Sequence, residues 1–196
     1  MSDERVTVLL IRHADPVRPG QGNFAEHERP LTGRGHRDAA ALAESLAASL
    51  ADAGVRAVIS SPYLRAIQTV EPIARKLGIE IELVDDLRER LLSPADDLPD
   101  WREHLERSWR DFDHALPGGE SGRAAQARIL SVFENLRIRH PSGTLVLGSH
   151  GNLIGLALNA FEPRVDFEFW AAIPMPAVYR LEFAAGRWRV IGGPGF

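Results

Sequence analysis

Val6-Thr7-Val8-Leu9-Leu10-Ile11-Arg12-His13 is the stretch of sequence that decides the fold. Its first six residues are apolar or β-branched and lack the alternation of a half-exposed strand, which predicts a strand buried on both faces. Strands of this kind occur in sheets that carry helices on both sides. The run ends at Arg12 and His13, so a guanidinium and an imidazole are predicted at one edge of the sheet.

Further β-rich and helical segments alternate along the rest of the chain. Ser61 and Ser121 are predicted to cap two of the helices, and Gly78 is predicted to follow the end of one. The alternation predicts an α/β fold, a three-layer α/β/α sandwich with a mostly parallel central sheet. The other predicted strands are 57–60, 79–84, 144–147 and a terminal hairpin of 178–183 and 188–191; the predicted helices are 34–50, 61–77, 121–140 and 153–161.

Residues 85–116 interrupt this alternation. They contain many acidic residues, Pro94 and Pro99, and a stripe of large apolar side chains at helical spacing. We interpret them as a helical lid insertion that packs over one end of the sheet, within a single domain of residues 1–196. The members of the stripe are Trp101, Leu105, Trp109 and Phe112.

The composition excludes several classes of protein. There is no cysteine, so catalysis by a thiol and thiolate metal sites are excluded. A net charge of -4 gives no general attraction for nucleic acid or anionic membranes. No apolar run approaches the length of a membrane span, and the acidic N-terminus has no basic region of a signal peptide. We therefore expect a cytoplasmic protein with no nucleic-acid or membrane partner.

Three polar pairs follow the ends of predicted strands: Arg12-His13, Ser60-Ser61 and Ser149-His150. In α/β sheets, ligands bind beyond the carboxyl ends of the strands, so we expect the three pairs to converge. Arg65 lies one turn into the helix after the second pair, where backbone N–H groups favour anions. Guanidinium and imidazole groups at such an edge suit phosphoryl transfer.

Together these segments resemble the histidine phosphatase superfamily, also called phosphoglycerate mutase-like, over nearly the whole chain. Arg12-His13-Ala14 is similar to the Arg-His-Gly signature of that family, and Ser60 to Thr69 matches its Ser-Ser-Pro…Arg-Ala-x-x-Thr segment almost fully. The other similar segments are Pro30 to Gly35, Leu87-Arg88-Glu89-Arg90, Pro117 to Ser121 and Ser149-His150-Gly151.

The resemblance implies a metal-independent phosphatase without a cofactor, acting on a small phosphorylated substrate. It implies that His13 is the nucleophile that is transiently phosphorylated. Arg12, Arg65 and His150 would stabilise the charge of the transferring group, and Glu89 would donate a proton to the leaving alcohol, with Asp85 or Asp86 as rival donors. The further substrate-binding residues implied are Ser149, Gly151, Asn23 and Thr32.

Two departures from the family pattern affect the loop after the nucleophile. Ala14 replaces the usual glycine, and Asp15-Pro16 lacks the usual threonine hydroxyl. These changes leave the expected reaction intact but prevent the transfer of any one member's substrate.

Other readings stay open at this point. A phosphoglycerate mutase-type phosphoryl transfer and a non-catalytic phosphate-binding regulatory module are the main alternatives. A serine hydrolase and a metal hydrolase are disfavoured, because the nucleophile elbow is incomplete at Leu147 and the histidines form no closely spaced ligand pair. A homodimer could form through the exposed edge of the terminal hairpin.

Overall fold

The structure is a computed structural model that describes residues 4–94 and 100–196. A six-stranded sheet has the order β3-β2-β4-β1-β5-β6. Strands β1 to β4 are parallel, while β5 pairs antiparallel with β1 and with β6. The mostly parallel α/β sheet and the terminal hairpin are therefore confirmed. The strands are β1 (Arg5–Arg12), β2 (Val55–Ser60), β3 (Ile81–Leu83), β4 (Ser142–Ser149), β5 (Ala177–Ala184) and β6 (Arg187–Gly192).

Helices cover both faces of this sheet. On β1, Leu9 and Ile11 contact a core shared with α1 and α2, whereas Val8 and Leu10 contact a larger core shared with α4 and α5. The unbroken apolar run of β1 is thus explained by burial on both faces. The helices are α1 (Gly33–Ala51), α2 (Leu64–Leu77), α3 (Trp101–Arg110), α4 (Gly122–Arg139), α5 (Gly151–Phe161) and α6 (Phe167–Ala171); short 3₁₀ turns span Glu26–Glu28 and Asp85–Leu87.

The predicted cap at Ser61 is wrong. Helix α2 begins at Leu64, and Ser61 extends the pairing of β2 instead, because its N–H donates to the Gly148 carbonyl at 2.9 Å. Local capping preference is overridden here by the neighbouring strand. The cap at Ser121 is confirmed, since its hydroxyl accepts from the Ala124 N–H, and Gly78 ends α2 with a left-handed φ of 66°.

The predicted insertion forms α3, which packs on α5. Trp109 is buried, and a Cβ atom on Gly155 would lie 3.1 Å from its ring. Trp101 is 52% exposed, so its predicted place in the packed stripe is wrong. Its spacing of four residues puts it on the same side of α3 as Leu105 and Trp109, but it is the first residue of the helix, and burial begins only further along it. Residues 95–99, with Pro99, lie outside the described residues.

No helix in residues 4–94 or 100–196 is long and apolar enough to cross a membrane.

Candidate active site

His13 follows β1 directly and is fixed by its backbone. Its N–H donates to the Ser149 carbonyl at the end of β4, at 3.1 Å. The next residue, Ala14, donates its N–H to the Thr69 hydroxyl at 3.0 Å, and that hydroxyl donates to the Arg65 carbonyl at 2.7 Å. Strands β1 and β4 and helix α2 therefore hold the position of one imidazole.

The His13 imidazole is neutral and presents one defined tautomer. Its Nδ1 lies 2.8 Å from the Ala14 carbonyl oxygen, which can only accept, so Nδ1 carries the proton. Burial, followed by the charge of Arg65, lowers the pKa of His13 to about 3. The Nε2 atom therefore keeps its lone pair at neutral pH, as a nucleophile requires.

His150 lies beside His13 at the end of β4, with ring centroids 5.2 Å apart. Its Nε2 lies 2.8 Å from the Ser61 hydroxyl, which also accepts the Tyr63 N–H at 3.2 Å. When the Ser61 hydroxyl donates its proton to Nε2, the imidazole proton of His150 lies on Nδ1. Burial and the charge of Arg65 lower the pKa of His150 well below its ordinary range, so this ring is also neutral.

The Arg12 guanidinium lies close to the start of α5, beside Gly151. A Cβ on Gly151 would lie 2.9 Å from the Arg12 guanidinium carbon. Arg12 donates through Nη1 to the Ile173 carbonyl, which orients the guanidinium. Gly151 thus makes room for Arg12.

Arg65 is buried, and the 3₁₀ turn Glu26–Glu28 lies against its guanidinium. Nη1 donates to the Glu26 carbonyl and Nη2 to the Glu26 carboxylate, both at 2.8 Å. Arg29 binds the same carboxylate through Nε and Nη2, both at 2.7 Å. One carboxylate therefore bridges two guanidinium groups.

Glu89 is held by backbone N–H groups at the first turn of α5. Its carboxylate accepts from Asn152 and Leu153, both at 3.1 Å, and from Arg90 at 2.9 Å. The charge of Glu89 acts on Arg12, Arg65 and Tyr63, so Glu89 lies with the predicted site.

The rival donors Asp85 and Asp86 lie differently. Their side chains are 74% and 56% exposed, and both pair with Arg88. This favours Glu89 as the acid of the site.

Three other predicted substrate contacts have structural partners or lie outside the buried site. The Ser149 hydroxyl is buried and donates to the Leu87 carbonyl at 2.9 Å, tying β4 to the segment that carries Glu89. Thr32 caps α1 and donates to the Asp15 carboxylate at 2.8 Å, and Asn23 is exposed. Their contact with substrate stays a prediction.

Three buried nitrogen atoms at this edge have no hydrogen-bond partner within the described residues: Arg12 Nε, Arg65 Nε and His150 Nδ1. The two arginine Nε–H groups are donors, and unsatisfied buried donors on cationic groups are costly, so they indicate a place for an anion. Within the described ranges, no group of three or more histidine, cysteine, aspartate or glutamate side chains could hold a metal ion.

Part of this site was not predicted from the sequence. Thr69 was included only as part of a motif, and Ser61 was predicted both to converge with the other polar pairs and to cap a helix. Glu26 and Arg29 had no detectable signal, because their ion pairs depend on the path of a long loop. Tyr63, whose ring lies 5.0 Å from that of His150, was likewise missed.

The family model of the histidine phosphatase superfamily (branch 1) matches residues 8–192. The chain belongs to this superfamily. The resemblance to this family assigned residues 12–13, 65 and 150 to the site, and these residues lie together at one edge of the sheet.

Proteins similar to this chain are known from bacteria and from Entamoeba histolytica. The bifunctional protein Rv2228c of Mycobacterium tuberculosis is 29% identical over 164 residues, which are 78% of this chain and 44% of that protein. This chain thus spans less than half of that relative. The uncharacterised phosphatase PhoE of Bacillus subtilis is 24% identical and is aligned over 93% of this chain and 91% of its own.

A solved structure of similar fold is that of a mutant phosphoserine phosphatase from Entamoeba histolytica in complex with phosphoserine. It has a TM-score of 0.76 and 16% identity, with 97% of each chain covered. At this identity the likeness supports the fold.

Proposed function

We propose that the chain is a metal-independent phosphatase that hydrolyses a small phosphate monoester through a phosphohistidine intermediate on His13. The observation that carries this proposal is the neutral His13 ring with its proton on Nδ1, between Arg12, Arg65 and His150. This arrangement supplies a nucleophile and positive charge in one enclosed place.

In the first step, His13 Nε2 attacks phosphorus in line and the bond from phosphorus to the ester oxygen breaks. Glu89 donates a proton to that oxygen, so the alcohol leaves neutral. Arg12, Arg65 and the Nδ1–H of His150 stabilise the charge on the equatorial oxygens. In the second step, water attacks the phosphorus of phosphohistidine and the bond from phosphorus to His13 Nε2 breaks. Glu89 takes a proton from the water, and inorganic phosphate leaves with the His13 ring neutral again.

The arginines also support the absence of a metal requirement. The guanidinium groups of Arg12 and Arg65 supply the positive charge that a divalent cation supplies in metal-dependent phosphoryl transfer. Their charges act on His13, and a cation at the same place would be repelled.

The test is turnover of an aryl phosphate with a chelator present. We expect chelator-resistant hydrolysis that falls by at least about 10³-fold in His13→Ala. Rapid quenching of the wild type into alkali, with ³²P-labelled substrate, should trap label that mild acid releases. His36→Ala, on the exposed face of α1, is the control for the loss of a histidine.

Other outcomes would overturn the proposal in defined ways. Loss of turnover on chelation would contradict metal independence. Transfer of label to an added alcohol in preference to water would favour a mutase. Binding of phosphate with neither turnover nor label, across a panel of esters, would favour a regulatory module.

A further inference from the structure

Arg29 is a buried guanidinium for which the proposed mechanism has no stated use. Its residue is 9% exposed, and its Nη1 donates to the Val17 carbonyl at 2.7 Å. Two more of its donors, on Nε and Nη2, bind the Glu26 carboxylate. The positive charge of Arg29 is among those that lower the pKa of His13 and of His150, so Arg29 acts on the reacting groups.

Glu26 binds the two arginines in the manner of a ligand. Its Oε1 accepts from both Arg29 Nη2 and Arg65 Nη2, and its Oε2 accepts from Arg29 Nε. The Arg29 contact is bidentate, the geometry with which arginine also binds phosphate. Burial alone would raise the pKa of Glu26, but the hydrogen bond from Arg29 and the charge of Arg65 outweigh it and lower that pKa, so the carboxylate is ionised.

The exposed fractions of the Arg65, Arg29 and Glu26 side chains indicate which of them can leave the ion-pair cluster. The Arg65 and Arg29 side chains are 2% and 11% exposed, whereas that of Glu26 is 48% exposed. Buried guanidinium groups without a counter-charge are costly, but Glu26 can move into water at little cost. An incoming phosphate carries more charge and more acceptor oxygens than a carboxylate and can replace it.

We propose that Arg29 is a third phosphate-binding arginine, and that Glu26 occupies its site and that of Arg65 in the free protein until the phosphoryl group displaces it. The inference rests on the proposed function, because it assigns these residues to the same phosphate site. The carboxylate acts as an internal competitor that keeps two buried cations paired.

The test compares inorganic phosphate binding, measured by calorimetry, with kcat and KM for an aryl phosphate. Glu26→Gln should lower the Kd of phosphate and KM about threefold to tenfold, because an anion no longer competes. Arg29→Gln should raise both about tenfold or more, because a charged hydrogen-bond donor is lost. Glu28→Gln is the matched control: it lies in the same 3₁₀ turn and removes the same charge, but its carboxylate contacts only the Ala25 N–H in the described structure.

The directions of these changes separate the possibilities. If Glu26→Gln weakens phosphate binding, Glu26 merely positions the arginines, and the inference is wrong. An equal gain in Glu28→Gln would assign the effect to net charge and would also overturn it. If the wild type binds phosphate and turns over while Glu26→Gln binds no tighter, only the inference fails; if the wild type neither binds phosphate nor turns over, the proposed function fails.

Arg29→Lys keeps the charge but not the bidentate geometry. We expect it to recover part of the phosphate affinity lost in Arg29→Gln, with thermal unfolding of each variant measured in parallel. An unchanged Kd in a folded Arg29→Gln protein would show that Arg29 does not touch the phosphate.

Discussion

The strand-end cluster and the approach loop are built by different means. The strand-end cluster, formed by Arg12, His13, Ser61, Ser149 and His150, follows three adjacent parallel strands and is fixed by strand pairing and short polar contacts. The approach loop, residues 17–29, reaches the site through ion pairs of Glu26.

We expect this difference to separate the reaction, at the sheet edge, from the selection of substrate by the loop. A buried sheet edge holds its polar side chains in one geometry, as the proposed phosphoryl transfer requires. A loop joined by ionic side chains can open to admit an anion, and its sequence can change without disturbing the sheet. We therefore expect changes in the cluster to lower kcat, and changes in the loop to alter KM.

Glu89→Gln should have the largest effect, because the proposed mechanism assigns both proton transfers to Glu89. We expect kcat for an alkyl phosphate to fall about 10²- to 10⁴-fold, the range of general acid–base catalysis. Single-turnover phosphorylation of His13 is the measurement. An aryl phosphate with an acidic leaving group should be affected less in this step, since its leaving oxygen needs no proton.

Asp86→Asn is the matched control for Glu89→Gln. Asp86 lies three residues away, is exposed and pairs with Arg88. A large loss in Asp86→Asn or Asp85→Asn, with Glu89→Gln near wild type, would reassign the proton donor to the 3₁₀ turn Asp85–Leu87.

The parts that sequence predicted are those with local signals. Six consecutive apolar or β-branched residues predict that β1 is buried on both faces. The polar residues at the ends of the neighbouring strands identify the edge of the sheet that carries the site. Ser61 was assigned wrongly because a serine before proline looks like a helix cap, and only the path of β4 shows that it extends a strand. Glu26 and Arg65 are 39 residues apart, and no local pattern predicts their ion pair.

The stability of the cluster should depend on pH through its neutral histidines. Below about pH 6.5 an unfolded histidine binds a proton, while folded His13, with a pKa of about 3, does not. The unfolded state thus binds more protons, and the free energy of unfolding falls as pH drops from 6.5 towards 3.

Replacing His13 should remove its share of this slope. We expect His13→Gln to reduce the slope between pH 6.5 and 5 by up to about 1.4 kcal/mol per pH unit, one proton's worth. Urea unfolding at several pH values measures it, with His36→Gln as the control for removing an exposed histidine. An unchanged slope in His13→Gln would mean that His13 already binds a proton in the folded protein.

Ser61→Ala tests whether the orientation of His150 matters, because it removes a hydrogen bond to that ring but leaves the ring itself in place. The ring of His150 would lose its only hydrogen-bond partner in the described structure, the Ser61 hydroxyl. We expect kcat to fall about tenfold, equivalent to the loss of one hydrogen bond, with little change in KM.

Ser60→Ala is the matched control, because Ser60 is equally buried but its hydroxyl donates to the Ser61 carbonyl. Steady-state kinetics of both variants decide the point. Equal losses of kcat in the two variants would show that Ser61 serves the packing of the turn and not the orientation of His150.

Asn23→Ala should have the smallest effect, although the resemblance to the family predicts substrate contact for Asn23. Its side chain lies exposed in the approach loop, in contrast to the buried Arg29 of the same loop. We expect KM to change by less than about twofold, as for exposed surface substitutions. A tenfold rise in KM at unchanged kcat would mean that the loop closes over bound substrate and brings Asn23 into the site. Substrate selectivity would then depend on the moving part of the loop and not on Arg29 alone.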